Sequence, residues 1–288
     1  SSNITNLCLD TSTLGSSFSQ SGGHYSATVY GTSINDIVMV DNGWVSTITM
    51  GDGDDVVHSK DSDAPDDIDM GAGDDFLIIS SDTNDTSLDG GSGSDWLAFR
   101  TVNSGGSAQT YTLNSGNASN FENLLGSDSD DTLTGDANAN ILVGSQGADT
   151  INGGDGNDVL WGDCLSGGSC SNLISQNYSS YSISTGGNDI LNGGAGDDTI
   201  YGEDGDDTID GGAGNDTLTG GAGIDTFVIR EDDGGSSISD ADTITDFTDG
   251  TDIIGMSGLN YSDLTIEQGT GSYSSHVVVK KTSSGEFL

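Results

Sequence analysis

The chain has 288 residues, with 47 Asp plus Glu against 5 Lys plus Arg and a formal net charge of −42. That balance excludes sequence-independent binding to nucleic acid, whose phosphates need a basic surface, and docking on an anionic membrane. No run of about 18 apolar residues occurs, so no segment reads as a membrane-spanning helix.

Hydrophobic residues still make up 32% of the chain, and its acids recur at fixed spacing, so a fold is expected despite the charge. Repulsion of this size opposes compaction and calls for bound polycations or many divalent ions. No signal peptide is visible and the first residue is not Met, which suggests a processed product or a fragment.

Residues 1–30 are weakly patterned and are expected to cap the start of a solenoid. In residues 31–125, Asp36, Asp55, Asp75 and Asp95 follow one another at 19, 20 and 20 residues, within GTSINDIVM, GDGDDVV, GAGDDFL and GGSGSDWLA. Each has an apolar partner two residues on: Val38, Val57, Leu77 and Leu97. This spacing predicts solenoid coils with one Gly-Asp turn each. A longer second turn falls at DSDAPDD and SSDTNDT.

From Gly126 to Val228 the period shortens to nine residues: GSDSDDTLT, GDANANILV, GSQGADTIN, GGDGNDVLW, an interrupted unit, GGAGDDTIY, GEDGDDTID, GGAGNDTLT and GGAGIDTFV. The pattern is G-G-x-G-x-D-x-U-x, with U large and apolar. Its sixth positions are Asp131, Asn140, Asp149, Asp158, Asp189, Asp198, Asp207, Asp216 and Asp225. Its eighth positions are Leu133, Leu142, Ile151, Leu160, Leu191, Ile200, Ile209, Leu218 and Phe227. The first six residues of a unit read as a turn and the last three as a strand. Two units then make one coil, and coils stack in parallel at about 4.8 Å. The eighth side chain points inward, and the seventh and ninth point out. The fold class expected is therefore all-β, a parallel β-roll or β-solenoid.

The fifth unit is split between Gly162–Asp163 and Gly187–Leu191, and Leu160 to Leu191 is nine plus 22 residues. Residues 164–185 are thus a loop extruded from one turn, with the coil phase kept. Cys164 and Cys170 lie in it and are candidates for a small disulfide loop, or are free thiols. Cys8 is then odd, either buried or paired between chains. Residues 229–288 read as a C-terminal cap, ending in a hairpin at HVVVKKTSSGEFL.

Stacked Gly-Asp turns fit calcium. Ca²⁺ wants six to eight oxygens from carboxylates and backbone carbonyls. Glycine lets carbonyls point inward at backbone angles other residues disfavour, and the sixth residue adds charge. Unpaired rows of Asp at this spacing would repel strongly. Zn²⁺ is disfavoured, because His24, His58 and His276 lie far apart in sequence.

These motifs resemble the RTX family of secreted bacterial proteins. The nonapeptides carry the resemblance over about 100 residues. NASNFENLLGSDSDDTLTGDANANIL resembles the family's lead-in, and DTITDFTDGTDIIGMSGL its cap. Family caps more often read Asp-Leu-Ser where this chain has Gly255, Met256 and Ser257. Related chains usually run on past the hairpin.

The resemblance implies calcium held by carbonyls at positions two and four plus the Asp of one turn, and by carbonyls at one and three plus the Asp of the next. One such site would use Gly154, Gly156, Asp158, Gly193, Ala195 and Asp198, and the next Gly194, Gly196, Asp198, Gly211, Ala213 and Asp216. The opposite stack would use Gly187, Asp189, Gly202, Asp204 and Asp207, then Glu203, Gly205, Asp207, Gly220, Ala222 and Asp225. Asp36, Asp55, Asp75, Asp95, Asp131 and Asp149 are further metal candidates. Asn140 keeps only a neutral oxygen, which weakens its gap with Asp158. The split turn puts the gap from Asp149 to Asp189 in doubt. About six to ten ions are expected, at millimolar to submillimolar affinity and with folding coupled to binding after export.

No HExxH and no G-x-S-x-G occurs, and no enzyme domain is recognisable. Ile141, Val143, Val159, Trp161 and Tyr201 fall on outward strand positions and form a candidate interface. The alternative is that the insertion covers them. The reading is a secreted or cell-surface, calcium-loaded structural protein, without enzymatic activity. Copies of itself or another surface protein are its expected partners, in a filament, surface layer or adhesive matrix. The alternative is the calcium-dependent C-terminal module of a larger secreted protease or lipase. A lectin-like or ice-binding module is disfavoured by an interrupted Thr row.

Overall fold

The computed structural model describes residues 6–8, 17–21, 27–41, 46–59, 67–79, 87–99, 108–163, 186–231, 233–273, 277–285 and 287–288. The Cys164, Cys170 and insertion readings lie outside these residues, as do the expected long turns DSDAPDD and SSDTNDT. The chain is a parallel β-solenoid organised as two compact units, one running to Gly135 and the other beginning at Asp136.

In the first unit, one row of parallel strands comprises Ser17–Ser21, Ile37–Asp41, Val56–Ser59, Phe76–Ile79, Trp96–Phe99 and Asn123–Leu125. The opposite row comprises Asn6–Cys8, Ala27–Tyr30, Ser46–Thr49, Asp67–Asp69, Ser87–Asp89 and Ala118–Ser119. Strands therefore begin well before residue 31, and the segment expected to cap the solenoid supplies rungs of it. Val38, Val57, Leu77, Leu97 and Leu124 lie in register and are buried, facing Val29, Ile48, Ile68 and Leu88. The strands Phe76–Ile79 and Trp96–Phe99 are buried at every residue. Both-sided burial explains their continuous apolar sequences, FLII and WLAF.

In the second unit, one row runs Ile141–Ser145, Val159–Asp163, Thr199–Asp204, Thr217–Ala222 and Thr243–Ile244. The other runs Thr150–Asp155, Ile190–Ala195, Thr208–Ala213, Thr226–Arg230 and Ile253–Ser257. The eighth-position side chains stack on themselves inside: Leu142, Leu160, Ile200 and Leu218 from one row, Ile151, Leu191, Ile209 and Phe227 from the other. Ile151 pairs with Leu191, so the coil keeps its phase across the insertion.

The regular turns stop at Asp225, but the coil does not. Leu218 pairs with Ile244 and Phe227 with Ile254, so one glycine-poor coil continues within the expected cap. An antiparallel hairpin, Leu264–Gln268 with Val277–Lys281, comes after it.

The apolar row expected on the surface is not open to solvent. Val143 and Trp161 are buried, while Ile141, Val159 and Tyr201 are half-buried. The register sets Trp161 between Val143 and Tyr201. Its ring stacks on Tyr201 at 4.0 Å between centroids and 15° between planes. Side chains at the same position of adjacent rungs thus cover each other's faces.

Candidate calcium-binding turns

Each turn is set by its six residues, numbered one to six from the first position of the nonapeptide. Stacking brings successive turns backbone against backbone, with no space for a side chain at the glycines of positions two and four. A Cβ on Gly194 would lie 2.0 Å from the Gly154 carbonyl oxygen, and one on Gly196 would lie 1.8 Å from that of Gly156. Gly194 and Gly196 take φ of +112° and +136°, open at little cost only to glycine. Ser145 (φ +100°) and Glu203 (φ +78°) occupy position two without being glycine.

The sixth-position carboxylates form ladders. One oxygen of each accepts the backbone N–H of the sixth residue in the turn before: Asp149 to Asp189 at 2.7 Å, Asp189 to Asp207 at 2.8 Å, Asp207 to Asp225 at 3.0 Å. On the other side Asp158 donates to Asp198 at 2.7 Å and Asp198 to Asp216 at 2.8 Å. The second oxygens of Asp158, Asp198, Asp207 and Asp216 are buried without a hydrogen-bond partner. Each lies over the first glycine of its own turn; a Cβ on Gly153, Gly193, Gly202 or Gly211 would meet that oxygen at 2.2–2.3 Å. Glycine at position one thus clears the cradle in which the carboxylate sits.

A buried carboxylate oxygen without a donor is costly unless a cation meets it. The protein supplies none along these rows, since residues 101–229 contain no Lys, Arg or His. Burial, the largest cause, pushes the Asp158 carboxyl up to about 6 and those of Asp198 and Asp207 up to about 7; neighbouring carboxylates add to it and the backbone N–H bonds oppose it. Among the described residues no three His, Cys, Asp or Glu side chains converge as a metal cluster. A cation here would be held by two carboxylates plus backbone carbonyls, which is calcium's hard-oxygen chemistry and fits neither Zn²⁺ nor a rigid Mg²⁺ octahedron. The residues present fit calcium.

Turns at the ends of rows behave differently. The Thr32 N–H donates to Asp36 Oδ2 at 2.7 Å, the Ser127 N–H to Asp131 Oδ2 at 2.5 Å, and the Asp136 N–H to Asn140 Oδ1 at 2.8 Å. These position-two residues lack a positive φ. The Thr248 N–H likewise closes on Asp252 Oδ2 at 2.6 Å. We call these turns closed and the orphan-oxygen turns open.

The structure adds acids that the repeat pattern did not single out. Asp242 and Asp252 accept the N–H groups of Asp216 and Asp225 at 3.0 and 3.2 Å, ending the two rows. Asp246 accepts both the Gly220 and Gly221 N–H groups, at 3.0 and 2.8 Å. Glu122 accepts the Asp95 N–H at 2.8 Å. An acid two residues before an apolar residue, as in Asp242-Thr243-Ile244, Asp252-Ile253-Ile254 and Glu122-Asn123-Leu124, is the signal they share. Asp163, at position two of the split turn, is buried, and its carboxyl is pushed up to about 8 by burial and then by Asp189. The ladder from Asp149 to Asp189 is intact across that split.

The RTX calcium-binding nonapeptide repeat matches the chain in four copies, at residues 119–147, 134–163, 183–218 and 198–227. These segments are RTX repeats. A search among curated proteins finds no match for the chain. The RTX stretch covers the open turns from Asp158 to Asp216 and leaves the earlier coils outside it. No helix among the described residues is long and apolar enough to cross a membrane.

Proposed function

We propose that this RTX chain is a secreted structural protein that folds on calcium after export and assembles end to end with copies of itself in a filament, surface layer or adhesive matrix. The reading is not that of an enzyme. The observation that carries it is the last rung of the second unit. Strand Ile253–Ser257 pairs with Thr226–Arg230 on one side and, among the described residues, with no strand on the other. Ile253 and Met256 are 51% and 40% exposed on it. An open edge of this kind is a template for another chain. A parallel rung added by translation leaves a new edge free, so growth does not close.

A further feature supports the reading: the described chain is solenoid strand and turn almost throughout.

Sedimentation velocity in about 5 mM Ca²⁺, above the millimolar end of the affinity range, and in chelator tests this reading. Large species that require calcium and disappear in Ile253→Lys/Met256→Lys are expected. A compact monomer at every concentration would defeat it and favour a calcium-dependent module of a larger secreted enzyme.

A further inference from the structure

The open and closed turns of the RTX stretch provide a rule that can be applied outside it. In the first unit, Asp36 donates its N–H to Asp55 at 2.7 Å, Asp55 to Asp75 at 2.7 Å and Asp75 to Asp95 at 2.8 Å. The second oxygens of Asp55, Asp75 and Asp95 are buried and have no partner. All three residues are 1% exposed or less. Their turns carry positive φ at positions two and four: +113° and +113° at Gly51 and Gly53, +94° and +141° at Gly71 and Gly73, +97° and +149° at Gly91 and Gly93.

The backbones stack as in the RTX turns. A Cβ on Gly73 would meet the Gly53 oxygen at 2.0 Å, and one on Gly93 would meet the Gly73 oxygen at 1.8 Å. These are open turns. The Asp36 turn is closed, since the Thr32 N–H and hydroxyl both donate to Asp36 Oδ2, at 2.7 and 2.8 Å.

We infer that residues 51–95 hold a separate row of calcium sites outside the RTX stretch, with one ion between the Asp55 and Asp75 turns and one between the Asp75 and Asp95 turns. The row is built differently from its RTX counterparts. Position one is Met50 and Met70, both fully buried, where the RTX turns have glycine. Among the described residues, such turns lie on one of the two strand rows. The ion pairs among the described residues lie elsewhere, at Arg230, Lys280 and Lys281, so none of these cations neutralises the row. Two facing carboxylates with carbonyls between them call for a hard divalent ion of flexible coordination. The inference rests on the calcium reading of the RTX turns.

Native mass spectrometry of the full chain in calcium counts the ions. Asp75→Asn, which faces both gaps, is expected to lose two ions. Asp36→Asn, in the closed turn, is expected to lose none. Asp198→Asn, in the RTX stretch, is the control for the underlying reading. Full stoichiometry in Asp75→Asn with loss in Asp198→Asn overturns this inference alone. A wild-type chain that binds no calcium overturns both.

A second readout guards against misfolding of Asp75→Asn. Trp96, next to Asp95 and stacked with Phe76 at 6.0 Å, can sensitise Tb³⁺ luminescence. Trp96→Phe is expected to lose part of the Tb³⁺ emission excited through tryptophan, and unchanged emission overturns the inference.

Discussion

In the turn ending at Asp36, the N–H of Thr32 donates to the carboxylate at 2.7 Å. One coil later Gly51 sits at φ +113° and the Asp55 Oδ2 has no partner. The two turns share a sixth-position Asp and a ladder bond, and differ at position two. A residue there without positive φ presents its N–H to the carboxylate and satisfies it within the protein. A glycine at positive φ withdraws that donor and leaves the oxygen for an ion. The same contrast separates Ser127 and Asp131 from Gly194 and Asp198. On the calcium reading, affinity in this solenoid would depend on the backbone two residues into the turn as much as on the acid.

The strongest break of that comparison is to remove the ion. In chelator the RTX coils are expected to lose their sheet signal in far-ultraviolet circular dichroism, because each site saturated at 100 times its Kd adds about 2.7 kcal/mol to the folded state. An unchanged spectrum would show that the open turns stand without cations.

The pH dependence in chelator sharpens this. The carboxyls of Asp75, Asp158 and Asp198 titrate near 8, 6 and 7 in the fold, against a reference value of 3.8. The folded state then holds more protons than the unfolded chain between about pH 4 and 8, so its stability falls as pH rises through that window. Residual structure in chelator is expected to be greatest near pH 4 and least above pH 8, as a chelator titration followed by circular dichroism would reveal.

Single carboxylates come next. Asp198→Asn is expected to raise the calcium midpoint of folding by about tenfold or more, since ligand charge sets affinity. Asp131→Asn, in a closed turn, is expected to leave that midpoint within about twofold, and equal shifts in the two variants would erase the distinction. The smallest effect concerns strain. Glu203 holds a positive φ at an open position two, so Glu203→Gly is expected to stabilise the calcium-loaded fold by about 0.5–1 kcal/mol, read as a higher Tm.

Much of this was legible in the amino-acid sequence because the period is strict. Leu160, Leu191 and Ile209 had to face inward once the phase was counted, and the 22-residue insertion could be placed without disturbing it. What escaped the pattern did so for identifiable reasons. Asp242 and Asp252 continue the ladders without the glycines that mark a repeat, and among the described residues no further turn stacks on that coil. Strands before residue 31 lack the Asp signature yet pair in register. Trp161 was assigned outward by alternation, and alternation gives the face of a strand but not whether that face is buried. The distinction between closed and open turns depends on a backbone angle, which Thr32, Ser127 and Asp136 only hint at by not being glycine.

The split turn has an engineering consequence. The 22 extra residues enter between the second residue of a turn, Asp163, and the third, Gly186, while the rungs on either side, Ile151 with Leu191 and Leu160 with Ile200, stay in register. That third residue is exposed in the neighbouring turns, at Ala195, Ala213 and Ala222. The roll is in this sense a rack with one slot per turn. A guest loop spliced at Ala213 would be carried outward on the surface, held at its base by the stacked turns on either side.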